Sequence, residues 1–178
     1  MRLVLLAITT TLGCAGHQAS GTDKWNNASE IRACGRYWST DATEIRCTDT
    51  SSLTPGKLAA LHNLRTLEIG SLASLALDPK TGCPALPRLE RLVLLQSVIE
   101  DTTCLSALTS LRHLEFVGVV ETPIDFVRPL KSLESVYIEP SRLRPRLPSL
   151  EPLVGLHALE RLELGLSGLD ADCLGTDE

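Results

Sequence analysis

Apolar residues recur between residues 58 and 169 in a pattern that combines two local spacings. Three apolar residues at three-residue intervals, such as Leu58, Leu61 and Leu64, are followed by an alternating pair such as Leu67 and Ile69. Alternation sends successive side chains to opposite faces of a strand, whereas three-residue spacing favours a helical or 3₁₀ turn. The pattern therefore predicts short strands, each preceded by a tight turn, with the paired apolar residues in the core.

The same pattern occurs five times, as LHNLRTLEI, LPRLERLVL, LTSLRHLEF, LKSLESVYI and LHALERLEL. The third apolar slot of each copy lies at Leu67, Leu92, Leu114, Val136 and Leu162, so the periods are 25, 22, 22 and 26 residues. A repeated unit of this length is typical of a solenoid, and these copies resemble the leucine-rich repeat family. The resemblance implies an α/β solenoid with short parallel strands on its concave face and irregular, 3₁₀ or helical turns on its convex face.

The family usually has asparagine five residues after the third leucine, where its amide satisfies backbone groups inside the turn. Serine or an apolar residue stands there in this chain, at Leu72, Ser97, Val119, Ser141 and Ser167. We therefore expect the coils to be irregular beyond their strands.

The cysteine pattern bears on compartment and on metal binding. The six cysteines include no C-x-x-C pair, and the four histidines are isolated. Structural zinc sites need closely spaced ligands, so we predict an oxidising compartment, no metal and no cofactor. The formal charge of −5 with no basic stripe argues against nucleic acid, and no apolar run is long enough for a transmembrane helix.

The N-terminal stretch MRLVLLAITTTLGCAG has the outline of an export signal, assigned to residues 1–13. Its Thr-Leu-Gly-Cys sequence ending at Cys14 resembles the lipobox of bacterial lipoproteins, although Thr11 and Leu12 depart from the usual residues. The resemblance implies acylation of Cys14, which would anchor the chain in a membrane, and Ala15 favours the outer membrane of a Gram-negative host. Ordinary cleavage, giving a secreted or periplasmic protein, and no export at all, giving a cytosolic adaptor, remain alternatives.

Residues 14–33 are polar and aperiodic and are predicted to be a flexible tether. Residues 34–57 are predicted to be an N-terminal cap, because Ile45 lies one repeat period before Ile69 and thus marks a zeroth coil. This segment resembles the cysteine-bearing caps of extracellular leucine-rich repeat proteins, which implies a disulfide between Cys34 and Cys47. Tyr37 and Trp38 are expected to cover leucines of the first coil.

Cys83 and Cys104 are 21 residues apart and hold comparable places in adjacent copies. Stacked coils would bring them close together, so they form either a coil-to-coil disulfide or two buried thiols. Cys173, in the acidic C-terminal tail at 170–178, has no obvious mate. It is left as a free thiol, an intermolecular link or part of a C-terminal cap.

The outward-facing strand positions form the candidate binding site on the concave face. Arginine and tyrosine next to apolar residues are typical of protein interfaces. The predicted partner-binding residues are Arg91, Val93, Leu95, His113, Glu115, Val117, Tyr137, Glu139, Arg161 and Glu163. The alternative is that ion pairs from Arg91 and His113 to Glu115 only neutralise neighbouring strands. A second candidate is the arginine-rich loop at 142–146, which would meet an acidic partner or lipid headgroups unless it is simply a solvated loop.

These observations favour a non-enzymatic protein-interaction module, exported and lipid-anchored, that binds a protein partner and no small-molecule substrate. No catalytic motif is present: Gly165 and Gly168 flank Ser167 too closely for the G-x-S-x-G pattern. An enzyme using the concave glutamates and histidine is the alternative of another class, and a purely structural envelope protein is a third.

Overall fold

The structure is a computed structural model that describes residues 29–47, 53–70, 83–96, 102–119, 123–141 and 148–165. Its main feature is a parallel sheet of six strands that follow one another in chain order. The strands are β3 (Glu44–Cys47), β4 (Thr66–Gly70), β5 (Arg91–Leu95), β6 (His113–Val119), β7 (Ser135–Pro140) and β8 (Arg161–Leu164). Each strand belongs to one coil of a solenoid, numbered here from coil 0 with β3 to coil 5 with β8. In the described part of the chain no helix is long and apolar enough to cross a bilayer.

Short helices precede β4, β6, β7 and β8, as the three-residue leucine spacing predicts, whereas the described residues before β5 form a turn without a helix. The helices are α1 (Pro55–Ala59) and the 3₁₀ helices η1 (Thr103–Ala107), η2 (Asp125–Val127) and η3 (Glu151–Leu153). In coil 3 the amide of Leu108 donates to the carbonyl of Leu105, and the amide of Leu111 donates to that of Leu108. A 3₁₀ turn has three residues, so side chains three apart lie on one face. All three leucines therefore point into the core.

Each coil is joined to the preceding one by the same pair of backbone hydrogen bonds. The amides of Glu90 and Arg91 both donate to the carbonyl of Arg65, at 2.8 and 2.9 Å. One coil later, the amides of Arg112 and His113 donate in the same way to the carbonyl of Glu90. These joints satisfy the backbone groups at the start of the strand and set the register in which strands pair.

The core consists of stacked rows of aliphatic side chains, one from each coil. The two inward positions of the inner strands and the leucines before them are nearly inaccessible to solvent. Phe116 and Phe126 add an edge-to-face ring contact in coil 3 and the turn after it. In coil 5 the equivalent residues Leu162 and Leu164 are only partly buried, and both pack against this core.

The N-terminal cap is a hairpin of β1 (Glu30–Ala33) and β2 (Arg36–Ser39) placed before the zeroth coil. Its two-residue loop has positive φ at both positions, 57° at Cys34 and 70° at Gly35. This is the backbone requirement of a type I′ turn, which matches the twist of paired strands. A disulfide links Cys34 to Cys47 in β3, with Cα atoms 5.1 Å apart, so the cysteine-stapled cap is confirmed.

Three predictions for the cap region were wrong in detail. Residues 30–33, assigned to the tether, form β1. Ile45 pairs with Leu67 rather than Ile69, whose partner is Cys47. The disulfide cysteine itself thus fills an inward strand position that isoleucine, leucine or phenylalanine fills in later coils. Tyr37 is 68% exposed and covers no leucine, since it lies opposite Arg32 on the outer face of the hairpin.

Trp38 does pack against the core, as predicted, and its Nε1 donates to the carbonyl of Ala33 at 3.0 Å. Cys83 and Cys104 form the coil-to-coil disulfide, with Cα atoms 5.0 Å apart, which decides against two free thiols. Two of the five positions where the family has asparagine are described. Val119 ends β6 after a register shift in its pairing with β7, and Ser141, which follows β7, is buried. Several predictions concern residues outside the described ranges. They are those on Cys14, on Cys173, on the loop at 142–146, and on Leu72, Ser97 and Ser167, which stand where the family has asparagine.

Candidate functional site

The sheet register places the predicted concave-face residues side by side in three rows. The first row runs from Arg91 through His113 and Ser135 to Arg161. The second row consists of Glu68, Val93, Glu115, Tyr137 and Glu163, and the third of Gly70, Leu95, Val117 and Glu139. All ten predicted residues therefore belong to one face of the sheet on β5 to β8, although not all of them are exposed. Ser135, which the prediction left out, lies within it.

Ion pairs between arginine and glutamate cross this surface. Arg91 Nη2 lies 2.7 Å from Glu115 Oε1 on the next strand, and Arg161 Nε lies 3.6 Å from Glu163 Oε1 on its own strand. His113 does not pair with Glu115, since its Nδ1 is hydrogen-bonded to Ser135 Oγ at 3.0 Å. Exposed pairs of this kind contribute only about 0–1 kcal/mol each, so they orient side chains more than they stabilise the fold.

Tyr137 lies among carboxylates at the centre of the surface. Its hydroxyl donates to Glu139 Oε2 at 2.8 Å. Burial, followed by the hydrogen bond to Glu139 and the negative charges of Glu139, Glu163 and Glu115, raises the pKa of Tyr137 to about 12. The phenol therefore remains a neutral hydrogen-bond donor at physiological pH.

Gly165 lies directly under the Tyr137–Glu139 pair. A Cβ atom at this glycine would be 2.7 Å from the Tyr137 hydroxyl oxygen and 2.9 Å from Glu139 Cβ. The Gly165 amide donates to the carbonyl of Ile138 at 2.8 Å, which holds the two backbones together. The absence of a side chain at Gly165 thus leaves room for the tyrosine at the end of coil 5. The repeat pattern does not reveal this role, because Gly70 holds the same position in coil 1, where no tyrosine lies on the neighbouring strand.

The apolar part of the surface is smaller than predicted. Leu95 and Val117 are partly exposed, but Val93 is only 5% exposed, so its prediction as an exposed contact residue was wrong. Val93 lies between Glu68 and Glu115 in the sheet, and the neighbouring long side chains cover it. At the edge of the surface Gly118, with φ of 68°, opposes Gln96, whose φ is 50°.

The raised pKa of Tyr137 makes alkaline stability a measurable property of this surface. The stabilising contribution of the protonated phenol is fully present below the unfolded tyrosine pKa of about 10 and is lost as pH rises towards the folded value of about 12. We expect the wild-type protein to lose stability relative to Tyr137→Phe across this interval, measured by urea unfolding at stepped pH.

The phenolate absorbance of the wild type minus that of Tyr137→Phe should show the corresponding step near pH 12. Glu139→Gln removes one charge and keeps a hydrogen-bond acceptor, so it should move the step only part of the way towards about 10. A step at about 10 in the wild type would show that the phenol is not buried among the carboxylates.

Comparison with solved structures supports the architecture. The chain is similar to internalin C2 from Listeria monocytogenes, with a TM-score of 0.54 and 19% sequence identity, covering 73% of this chain and 59% of that chain. The internalin inlF from the same species gives a TM-score of 0.41 at 24% identity, covering 68% of this chain and 40% of that chain. No family model matches the sequence, and no curated protein matches it. Together with the six-stranded parallel sheet and the disulfide-linked cap, the likeness to internalin C2 identifies the fold as a leucine-rich repeat solenoid.

Proposed function

We propose that this protein is a non-enzymatic interaction module that binds a protein partner on the concave face of its solenoid. The observation that carries the proposal is one sheet face that presents Arg91 at the start of the strands, Tyr137 in the middle row, and the partly exposed Leu95 and Val117 at their ends. Aromatic and arginine side chains next to apolar ones are the residues that contribute most at protein interfaces. A row of parallel strands from stacked coils presents them on a fixed platform.

The size of the platform indicates a modest affinity for this face alone. Six strands spaced about 4.8 Å apart and about four residues long cover roughly 380 Å². A stable interface buries about 800 Å² on each partner. We therefore expect a partner to contact the edges of the solenoid as well, or two copies of the module to act together.

An enzyme that uses the concave glutamates and histidine is less well supported. Glu115 already accepts a hydrogen bond from Arg91, and His113 is bonded to Ser135. A general base needs its lone pair directed at a substrate proton, whereas Glu115 is held in an ion pair and His113 Nδ1 is bonded to a serine rather than to a carboxylate that would orient the ring as a base.

Export and anchoring form the second part of the proposal. The disulfides Cys34–Cys47 and Cys83–Cys104 favour an oxidising compartment, and the sequence around Cys14 suggests a lipid anchor in a bacterial envelope. We expect the intact mass of the natively expressed protein to correspond to a chain that begins at Cys14 and carries acyl chains. A chain that begins after Cys14 would favour the secreted or periplasmic form instead, and a full-length chain with reduced cysteines would contradict export.

Concave-face binding is testable with a photo-crosslinking amino acid placed at Val117 in the native host. Val154, exposed on the convex side after η3, is the matched control position. We expect one discrete crosslinked partner from Val117 and none from Val154. Replacing Arg91, His113 and Tyr137 together by alanine should abolish that crosslink, whereas unchanged capture would exclude the concave face and favour a purely structural role.

A further inference from the structure

A polar groove lies at the side of the solenoid where coils 1 to 4 lead into their strands. It has a volume of about 330 Å³. Its walls come from residues two to five places before the third apolar slot of successive coils, so it is separate from the concave-face rows. The lining residues are Arg65, Pro87, Arg88, Glu90, Ser110, Arg112 and Ser132.

Two separate ion pairs lie along this side of the solenoid, one between coils 1 and 2 and the other between coils 3 and 4. Arg65 Nη1 lies 2.5 Å from Glu90 Oε1, and Arg112 Nη1 lies 2.8 Å from Glu134 Oε1. Each arginine thus reaches forward to the next coil. Within the described ranges no ion pair joins Glu90 to Arg112, and the space between coils 2 and 3 stays open.

The groove concentrates positive charge in an acidic protein. Three guanidinium groups line it with the carboxylate of Glu90, and Glu134 pairs with Arg112 from just outside the lining, so the positive charge of Arg88 is left over in a chain of formal charge −5. Arg88 donates to the amide oxygen of Asn63 at 2.6 Å, and no carboxylate of the described residues lies within 4.0 Å of it. Arg88 is therefore a cation held in place by a neutral partner.

Among the described residues, most donors of the three guanidiniums have no side-chain partner. Each makes one hydrogen bond to a described side chain, through Nη1 in every case: Arg65 to Glu90, Arg88 to Asn63 and Arg112 to Glu134. A guanidinium has five N–H donors in a planar fork that matches the oxygens of carboxylate and phosphate. The hydroxyls of Ser110 and Ser132 lie in the same groove.

We propose that this groove is an anion-binding site that receives a carboxylate or phosphate group of a ligand, with Arg88 as its central residue. Arg65 and Arg112, held by Glu90 and Glu134, flank it from the coils on either side. Charge-assisted hydrogen bonds to a planar fork give both affinity and orientation. The site is independent of the concave face, because none of its residues belongs to the three concave rows.

The test is an NMR titration of the ¹⁵N-labelled protein that follows the arginine Nε–Hε signals. Inorganic phosphate and succinate are added separately at constant ionic strength set with sodium chloride. We expect saturable shifts at Arg65, Arg88 and Arg112 but not at Arg128, which is paired with Asp125 and Glu151 near η2 and η3. Saturation by phosphate alone assigns a phosphate ligand, and saturation by succinate alone assigns a carboxylate.

Variants of two arginines complete the test. Arg88→Gln should weaken binding roughly three- to tenfold and Arg88→Lys less, because the ammonium keeps the charge but lacks the fork. Arg128→Gln is the matched control and should bind like the wild type. Shifts that grow linearly, that are equal at Arg128, or that persist unchanged in Arg88→Gln would overturn the proposal, and backbone signals that match the wild type show that the variant is folded.

Discussion

Replacing Leu111 by alanine is expected to lower the free energy of unfolding by about 2–5 kcal/mol. Leu111 is 0% exposed, and its amide closes the turn that follows η1 by donating to the carbonyl of Leu108. The corresponding leucines of coils 2 and 4, Leu89 and Leu133, are also fully buried, so the truncated side chain leaves a gap within a packed row. The surrounding coils are fixed by their backbone joints and cannot close that gap.

Equilibrium urea unfolding followed by circular dichroism measures the loss. Val154→Ala is the control, because Val154 is 79% exposed and a change there should cost less than about 0.5 kcal/mol. If the two substitutions cost the same, the leucine rows would not be a close-packed core, and the solenoid would need another source of stability.

Removing the cap disulfide with Cys34→Ala and Cys47→Ala together is expected to destabilise the protein by about 3 kcal/mol, the loop-entropy value for a link of this length. The bridged cysteines are 13 residues apart and connect the hairpin loop to β3. Because a coil contacts mainly its neighbours, the loss should concentrate at the N-terminal end. Amide hydrogen exchange should become faster in β1 to β3, while β6 and β7 keep most of their protection.

The pair Cys83→Ala and Cys104→Ala provides the matched control. Its cysteines are 21 residues apart, so the entropic cost is again about 3 kcal/mol, but the link joins coils 2 and 3. Protection should then fall around β5 and β6. An equal loss over all six strands in both variants would contradict the expectation that the coils are coupled through nearest neighbours.

Most of the fold could be predicted because one residue type marks the core. The leucines before each strand repeat at the period of a 3₁₀ turn, and Leu67 and Ile69 repeat at the period of a strand. Both periods are properties of the backbone, so the positions of strands and turns follow from them. The rows of the concave face follow in turn, because parallel register sets equivalent residues side by side.

The errors concern residues whose surroundings depend on more than one coil. Val93 has the sequence position of an exposed residue, but charged neighbours on both sides cover it. Tyr37 was expected to cover leucines, yet hairpin pairing places it on the outer face beside Arg32. Ile45 was matched to Ile69 instead of Leu67, since a repeat period that varies between 22 and 26 residues does not define a register to within two positions.

The finer parts of the two surfaces could not be predicted for a similar reason. The contact of Tyr137 and Glu139 over Gly165 depends on the rotamer of the tyrosine side chain, which the strand register does not determine. The open groove around Arg88 depends on which neighbour each flanking arginine selects for an ion pair. Sequence periodicity determines which row a side chain belongs to, but not the direction in which it leans.

The identical joints between coils have a consequence for how this chain can change in length. The two amides of Glu90 and Arg91 bind the carbonyl of Arg65 in the same way that the amides of Glu134 and Ser135 bind the carbonyl of Arg112. Such a joint involves only backbone atoms, so it does not depend on which coil it connects. Duplication or loss of one whole inner coil leaves every joint intact, whereas a shorter insertion inside a strand breaks one. We therefore expect variants of this scaffold to gain or lose whole coils, and each added coil to extend the concave face by one strand.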